Sequence, residues 1–128
     1  MSIKYKTIQK VQPGIAGGGS RKYYASIAID GEASIDELVK EIEKFSALSE
    51  PDIRGVIIAL ENVIQSKLAE SKIVRLDRLG SFYPTLSSEG KDEAKQITVS
   101  CIKKVGINYR PGERIIAVMN AAGLKKIE

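Results

Sequence analysis

Histidine and tryptophan are absent from this 128-residue sequence, and cysteine occurs once, at Cys101. Without histidine there is no imidazole acid–base catalysis, no Cys–His nucleophile pair and no zinc site with the usual ligands. A single thiol excludes an intrachain disulfide and suits a reducing compartment. No catalytic residue, metal site or cofactor is expected, and the chain reads as non-enzymatic. No apolar run approaches the roughly 18 residues of a membrane span. The opening MSIKYKTIQKVQ alternates and lacks the apolar middle of a signal peptide, so a soluble, cytoplasmic chain is expected. What is present, 43% hydrophobic and 28% charged residues, suffices for one domain or one domain with a short extension.

Net charge is only +4, but it is unevenly spread. Residues 1–30 hold five Lys/Arg and one acid, residues 31–71 four and nine, residues 72–128 eleven and six. An acidic middle between basic segments suggests a polyanion on one side of the molecule. Glutamate-rich helices between lysine-rich strands would give the same numbers.

The hydrophobic period orders the chain as ββ, αα, βββ, α. Ile3, Tyr5 and Thr7 alternate with lysines, and Tyr23, Ala25, Ile27 and Ile29 alternate likewise, predicting two strands. Between them, Pro13 to Ser20 carries three adjacent glycines and reads as a mobile loop. Ser34-x-x-Glu37 is a capping box opening a helix with Leu38, Ile42 and Phe45 on one face. Ser49-Glu50-Pro51-Asp52 starts a second helix running to about Ser71, apolar around more than one stripe. One surface can pack on its own chain; the other asks for a partner. Short strands are predicted at Ile73–Leu76 and Leu79–Leu86, and a third over Ile97–Tyr109, with the polar SSEGKDEAKQ as a long hairpin connection. Glu113–Ala122 is predicted as a last helix with Ile115, Val118, Met119 and Ala122 inward and Gly123 as its C-cap.

Three features tempt other readings. Gly14 to Ser20 evokes a phosphate loop, but Ser20 stands where lysine is required and a strand follows instead of a helix. Cys101 reads as a small buried hydrophobe within a strand. Tyr23 and Tyr24 suggest base stacking, yet alternation turns only one outward.

Leu79-Gly80-Ser81-Phe82, then Ile107-Asn108-Tyr109-Arg110-Pro111-Gly112 before a terminal helix, together with the two capped helices, resemble the HU/IHF family of bacterial histone-like DNA-binding proteins. The resemblance covers about residues 33–126. The first thirty residues look like the leader of a divergent HU-like group, giving an N-terminal β-hairpin extension (1–32) and an HU-like domain (33–128) with an arm at about 83–104. The resemblance implies an α+β intertwined homodimer, with a three-stranded antiparallel sheet and hairpin arms that wrap the minor groove. Its interface would use Val56, Ile57, Leu60, Val63, Ile64 and Phe82. DNA-binding candidates are Arg75, Arg78, Lys91, Lys95, Lys103, Lys104, Asn108, Arg110 and Arg114. Lys104 and Arg110, six residues apart in one extended segment, share a face roughly 20 Å long.

The sequence departs from the family in its arm. Residues 87–96 have two lysines against three acids and no proline, so the tip wedge that kinks DNA is missing. The implied function is largely sequence-independent binding of double-stranded DNA in nucleoid architecture, with no membrane or small-molecule partner. The alternative is an HU scaffold kept as a dimeric interaction module with weak or lost DNA binding.

Overall fold

The computed structural model describes residues 1–12, 14 and 16–127. They form strands β1 (Ser2–Val11) and β2 (Arg21–Ile27), helices α1 (Ile35–Lys44) and α2 (Glu50–Ala69), and strands β3 (Val74–Arg75), β4 (Gly80–Ser88) and β5 (Ile102–Pro111). Helix α3 (Glu113–Ala121) and strand β6 (Gly123–Lys126) follow. This is a mixed α+β chain with two three-stranded sheets. It divides into two compact units, Ile35–Ala117 and the terminal strands with the chain from Val118 on. Among the described residues no helix is long and apolar enough to cross a membrane.

In the unit spanning Ile35–Ala117, α2 begins where local chemistry dictates. The Ser49 hydroxyl accepts the Asp52 amide at 3.4 Å and donates to the Asp52 carboxylate at 2.8 Å. Pro51 occupies the first turn, where its missing N–H costs nothing. Ser49→Ala is expected to cost about 1 kcal/mol, read as a lower urea midpoint with unchanged slope. Arg54 on α2 is ion-paired with Asp36 on α1. The residue α1 buries is Val39, one position from the face expected through Leu38, Ile42 and Phe45. Phe45 lies past the end of the helix and is 90% exposed.

Sheet β3-β4-β5 is antiparallel throughout. The cross-strand pairs Val74↔Phe82, Phe82↔Tyr109, Pro84↔Ile107 and Leu86↔Val105 place the apolar residues on one face. The Phe82 and Tyr109 rings meet at a tilt of 41° with centroids 5.3 Å apart. Pro84 lies beyond the two-residue β3, where β4 has an open edge that tolerates its missing donor.

The strand expected over Ile97–Tyr109 is shorter at its start. Residues 94–96 and 99–101 form single 3-10 turns, and extended pairing begins at Ile102. Ile97–Cys101 alternates as a strand should, but the segment across from it is a polar loop that offers no edge to pair with. Instead Glu93 and Gln96 cap one turn reciprocally, Cys101 N–H donates to the Thr98 carbonyl, and Glu89 N–H closes the loop on the Cys101 carbonyl. Cys101 is buried as expected, in a turn rather than a strand, its thiol 3.5 Å from the Gln96 carbonyl.

Among the described residues, only Val39, Ile53 and Cys101 are buried apolar side chains. Helix α2 leaves Val56, Ile58, Leu60 and Val63 between 41% and 58% exposed. Beside them runs a groove of about 390 Å³, whose apolar lining is Ile57, Leu60, Ile64, Leu68, Phe82 and Ile107.

In the other unit the sheet order is β2-β1-β6, antiparallel between β1 and β2 and parallel between β1 and β6. The two N-terminal strands form where alternation places them, except that β2 ends at Ile27 and leaves Ile29 beyond it. Of the glycine loop between them, Pro13 and Ile15 lie outside the described residues; Ala16–Gly18 make a 3-10 turn with Gly17 at φ 77°. Tyr23 points outward and Tyr24 is half-buried. The expected glycine C-cap of α3 is absent. Gly123 opens a strand opposite Ser2, outside the left-handed region, because β1 presents an open edge. Ile127 N–H continues that ladder to the Tyr5 carbonyl at 3.1 Å. Ile115, Val118 and Met119, expected to face inward, are exposed.

Candidate nucleic-acid interface

The face of β3-β4-β5 opposite its apolar side follows from the register. Arg75 pairs with Ser81, Ser81 with Arg110, Tyr83 with Asn108, Thr85 with Gly106 and Ser87 with Lys104. Directly opposed residues in a sheet share a face, so Arg75, Tyr83, Lys104, Asn108 and Arg110 all line one surface. No carboxylate stands in these positions.

Tyr83 organises one end of it. The Arg110 guanidinium lies 4.6 Å and the Arg75 guanidinium 5.9 Å from the centre of its ring. Arg75 also donates to the Tyr83 hydroxyl at 3.4 Å. Stacking on an aromatic face orients the planar cations while leaving N–H groups available for an anion. At the other end a shallow groove of about 370 Å³ is lined by Thr85, Ser87, Lys104, Gly106 and Asn108, with Leu86 and Ile107. The surface offers two ring-held guanidinium groups at one end, Lys104 at the other, and hydroxyl and amide donors between, which is the chemistry of phosphate and sugar contact.

Glycine makes the corner beside this face. Arg78 sits in a 3-10 turn (Asp77–Leu79) ahead of Gly80, and the Tyr109 hydroxyl donates to the Leu79 carbonyl at 2.6 Å. Gly112 packs against the Arg78 backbone so closely that a Cβ there would lie 2.0 Å from the Arg78 carbonyl oxygen.

Residues 1–126 match the family described as an HU domain fused to wHTH, Ig or a glycine-rich motif. The chain belongs to this HU-HIG family. No curated protein matches the sequence. Among solved structures, a protein from Bacteroides vulgatus ATCC 8482, provisionally named a bacterial DNA-binding protein, is similar in fold, with a TM-score of 0.68 at 8% identity. That likeness covers 99% of this chain but 49% of the other, so the chain spans about half the length of its structural neighbour.

Within this HU-HIG chain, the nine basic and polar residues singled out from sequence separate into groups. Arg75, Lys104, Asn108 and Arg110 share the face just described, and Arg78 stands at its corner. Lys103 is the extra residue of the β-bulge at Ser87/Ser88 and alternates away from Lys104. Lys91 and Lys95 lie in the loop beyond the ladder, ion-paired with Glu89 at 3.6 Å and Glu93 at 3.3 Å. Arg114 is in the first turn of α3. Sequence reasoning passed over Tyr83, although the alternation that aligned Lys104 with Arg110 runs across the ladder to it. Of the apolar residues singled out, Val56, Leu60 and Val63 stand exposed, while Ile57, Ile64 and Phe82 are half-buried along the α2 groove.

Proposed function

We propose that this HU-HIG chain is a non-enzymatic protein that binds duplex DNA as a homodimer with little sequence preference, in a cytoplasmic, nucleoid-organising role. The observation that carries the reading is the carboxylate-free face on which Arg75 and Arg110 flank Tyr83 and Lys104 stands at the far end. Its contacts suit phosphate and sugar, which position a protein without reading sequence. The exposed apolar side of α2 supports the second copy, since a large contiguous apolar surface marks an interaction site. A twofold arrangement would present the basic face twice.

The arm differs from a long DNA-wrapping ribbon. Its ladder ends at Ser88 and its tip is the compact loop with both lysines already paired. Binding is therefore assigned to the sheet face, without a wedge between base steps. If each protomer neutralises about three phosphates there, this face alone contributes about −5 to the slope of log affinity against log salt. Gel shifts over a salt series test this. Arg110→Ala and Lys104→Ala are each expected to weaken binding to all sequences alike and to flatten the slope by about 1.8 in a dimer, one contact per protomer. The paired lysines of the tip favour one rival, an interaction module on the same scaffold, and absence of binding at low salt would establish it.

A further inference from the structure

The chain's positive excess belongs to the terminal unit. Ile35–Ala117 holds thirteen Lys/Arg and thirteen acids, whereas the terminal unit holds seven against three. The register concentrates that excess. Lys10 is directly opposite Lys22, Ile8 opposite Tyr24 and Lys6 opposite Ser26 across β1-β2, while Lys4 is opposite Lys125 across β1-β6. Five lysines therefore share one face of β2-β1-β6. The reverse face carries Ile3, Tyr5, Ala25, Ile27 and Leu124, which line an apolar groove of about 430 Å³.

Two like-charged pairs placed directly opposite each other destabilise a sheet. Among the described residues little relieves them. Lys4 is ion-paired with Asp30, whose carboxyl the Lys4 hydrogen bond and charge hold below the usual carboxylate range. Lys10 rests 5.2 Å from the centre of the Tyr24 ring. Among the described residues, Lys6, Lys10, Lys22 and Lys125 have no carboxylate partner, and all four are exposed. Lysines along a strand edge discourage edge-to-edge pairing. That accounts for single lysines on β2 and β6, not for opposed pairs that include the central strand.

We propose that this lysine face of the terminal unit is a second binding surface for the phosphodiester backbone of duplex DNA, in addition to the Arg75–Arg110 face of the other unit. Lys4 and Lys10 stand about 20 Å apart at the strand rise, the axial length of about six phosphates on one strand. The sequence-blind spacing of point charges suits a repeating polyanion, and the opposed lysine pairs are relieved when phosphates lie between them. The proposal rests on the DNA-binding reading above, to which it adds contacts.

Its test is a potassium chloride series of fluorescence anisotropy on the full chain with a labelled duplex of about 60 base pairs, long enough for flanking contacts. Four proteins are compared: wild type, Lys6→Gln/Lys10→Gln/Lys22→Gln/Lys125→Gln, the same four changed to Arg, and Lys104→Gln/Arg110→Gln. With two sheet lysines per protomer on phosphate, the wild-type slope is near −9, the glutamine quadruple returns it to about −5 and the arginine quadruple keeps about −9. The arginine quadruple is expected to leave the circular-dichroism melt in place and the glutamine quadruple to keep or raise it, since opposed like charges are removed, so the slope change is not unfolding. A glutamine quadruple with the wild-type slope overturns the proposal while leaving DNA binding intact. Loss of binding to phosphatidylglycerol vesicles with that slope unchanged overturns it in favour of a membrane surface. If only the glutamine quadruple flattens the slope and Lys104→Gln/Arg110→Gln does not, the second surface stands and the first face fails. If the wild type binds no duplex at low salt, both fall.

Discussion

Val63→Glu is expected to abolish the stable fold at micromolar concentration. In the chain taken alone Val63 is 55% exposed on α2, and a substitution at such a position ordinarily changes stability by within about 0.5 kcal/mol. In a homodimer built on α2 the same side chain is covered by the second copy. A carboxylate there is taken from water without a partner, once in each protomer, at a cost of several kcal/mol per dimer. The two arrangements therefore differ by enough to span most of a small protein's stability, which is about 5–15 kcal/mol. Sedimentation equilibrium and urea unfolding read the difference. The wild type should sediment as twice the chain mass, with a urea midpoint that rises with protein concentration. The variant should be monomeric and largely unfolded under the same conditions. A Val63→Glu chain that folds like the wild type, with a midpoint independent of concentration, would remove the second copy from the proposal.

The weight placed on that residue comes from how little the chain buries by itself. Among the described residues three apolar side chains are buried, too few to offset the conformational entropy of ordering a chain this long. The imbalance was legible in the sequence as an α2 with apolar residues around its girth, and the exposed Val56, Ile58, Leu60 and Val63 give it physical form. The caps were legible too, because Ser49 and Pro51 act through bonds within one turn. So was the alternation that puts Lys104, Asn108 and Arg110 on one face, a local period of two.

Illegible were the features that depend on which edge a segment meets. Ile97–Cys101 has strand-like residues and Leu124–Lys126 has few. Leu124–Lys126 finds the open edge of β1 and becomes β6, whereas Ile97–Cys101 finds a polar loop and turns. No window of sequence records that difference, because parallel pairing with β1 joins residues more than a hundred positions apart. The lysine face was hidden for the same reason. Lys4, Lys6 and Lys10 alternate visibly, but their alignment with Lys22 and Lys125 exists only in the register. Tyr83 was missed because its role is to carry Arg75 and Arg110, which reach it from two neighbouring strands.

Gly80→Ala carries the second large effect, and its cause is in the backbone. Gly80 has φ 125° and ψ −164°, a region that is essentially glycine-only. A Cβ would also lie 2.4 Å from the Arg110 carbonyl oxygen and 2.8 Å from a Tyr109 ring carbon. The backbone strain costs about 1–3 kcal/mol and the overlap about as much again, so a total of about 3–5 kcal/mol is expected. Relief requires β4 to move away from β5 where Gly80 faces Pro111 and Ser81 faces Arg110. That would draw the Arg110 guanidinium off the Tyr83 ring, so DNA affinity should fall in the fraction that remains folded. Gly90→Ala is the control. Nothing lies within 4 Å of a Cβ there, and its φ is not positive. Its urea midpoint should match the wild type to within about 0.5 kcal/mol. Equal midpoints for the two alanine variants would mean that the corner between Arg78 and β4 is not held as the structure has it, and that the placement of Arg110 does not depend on this glycine.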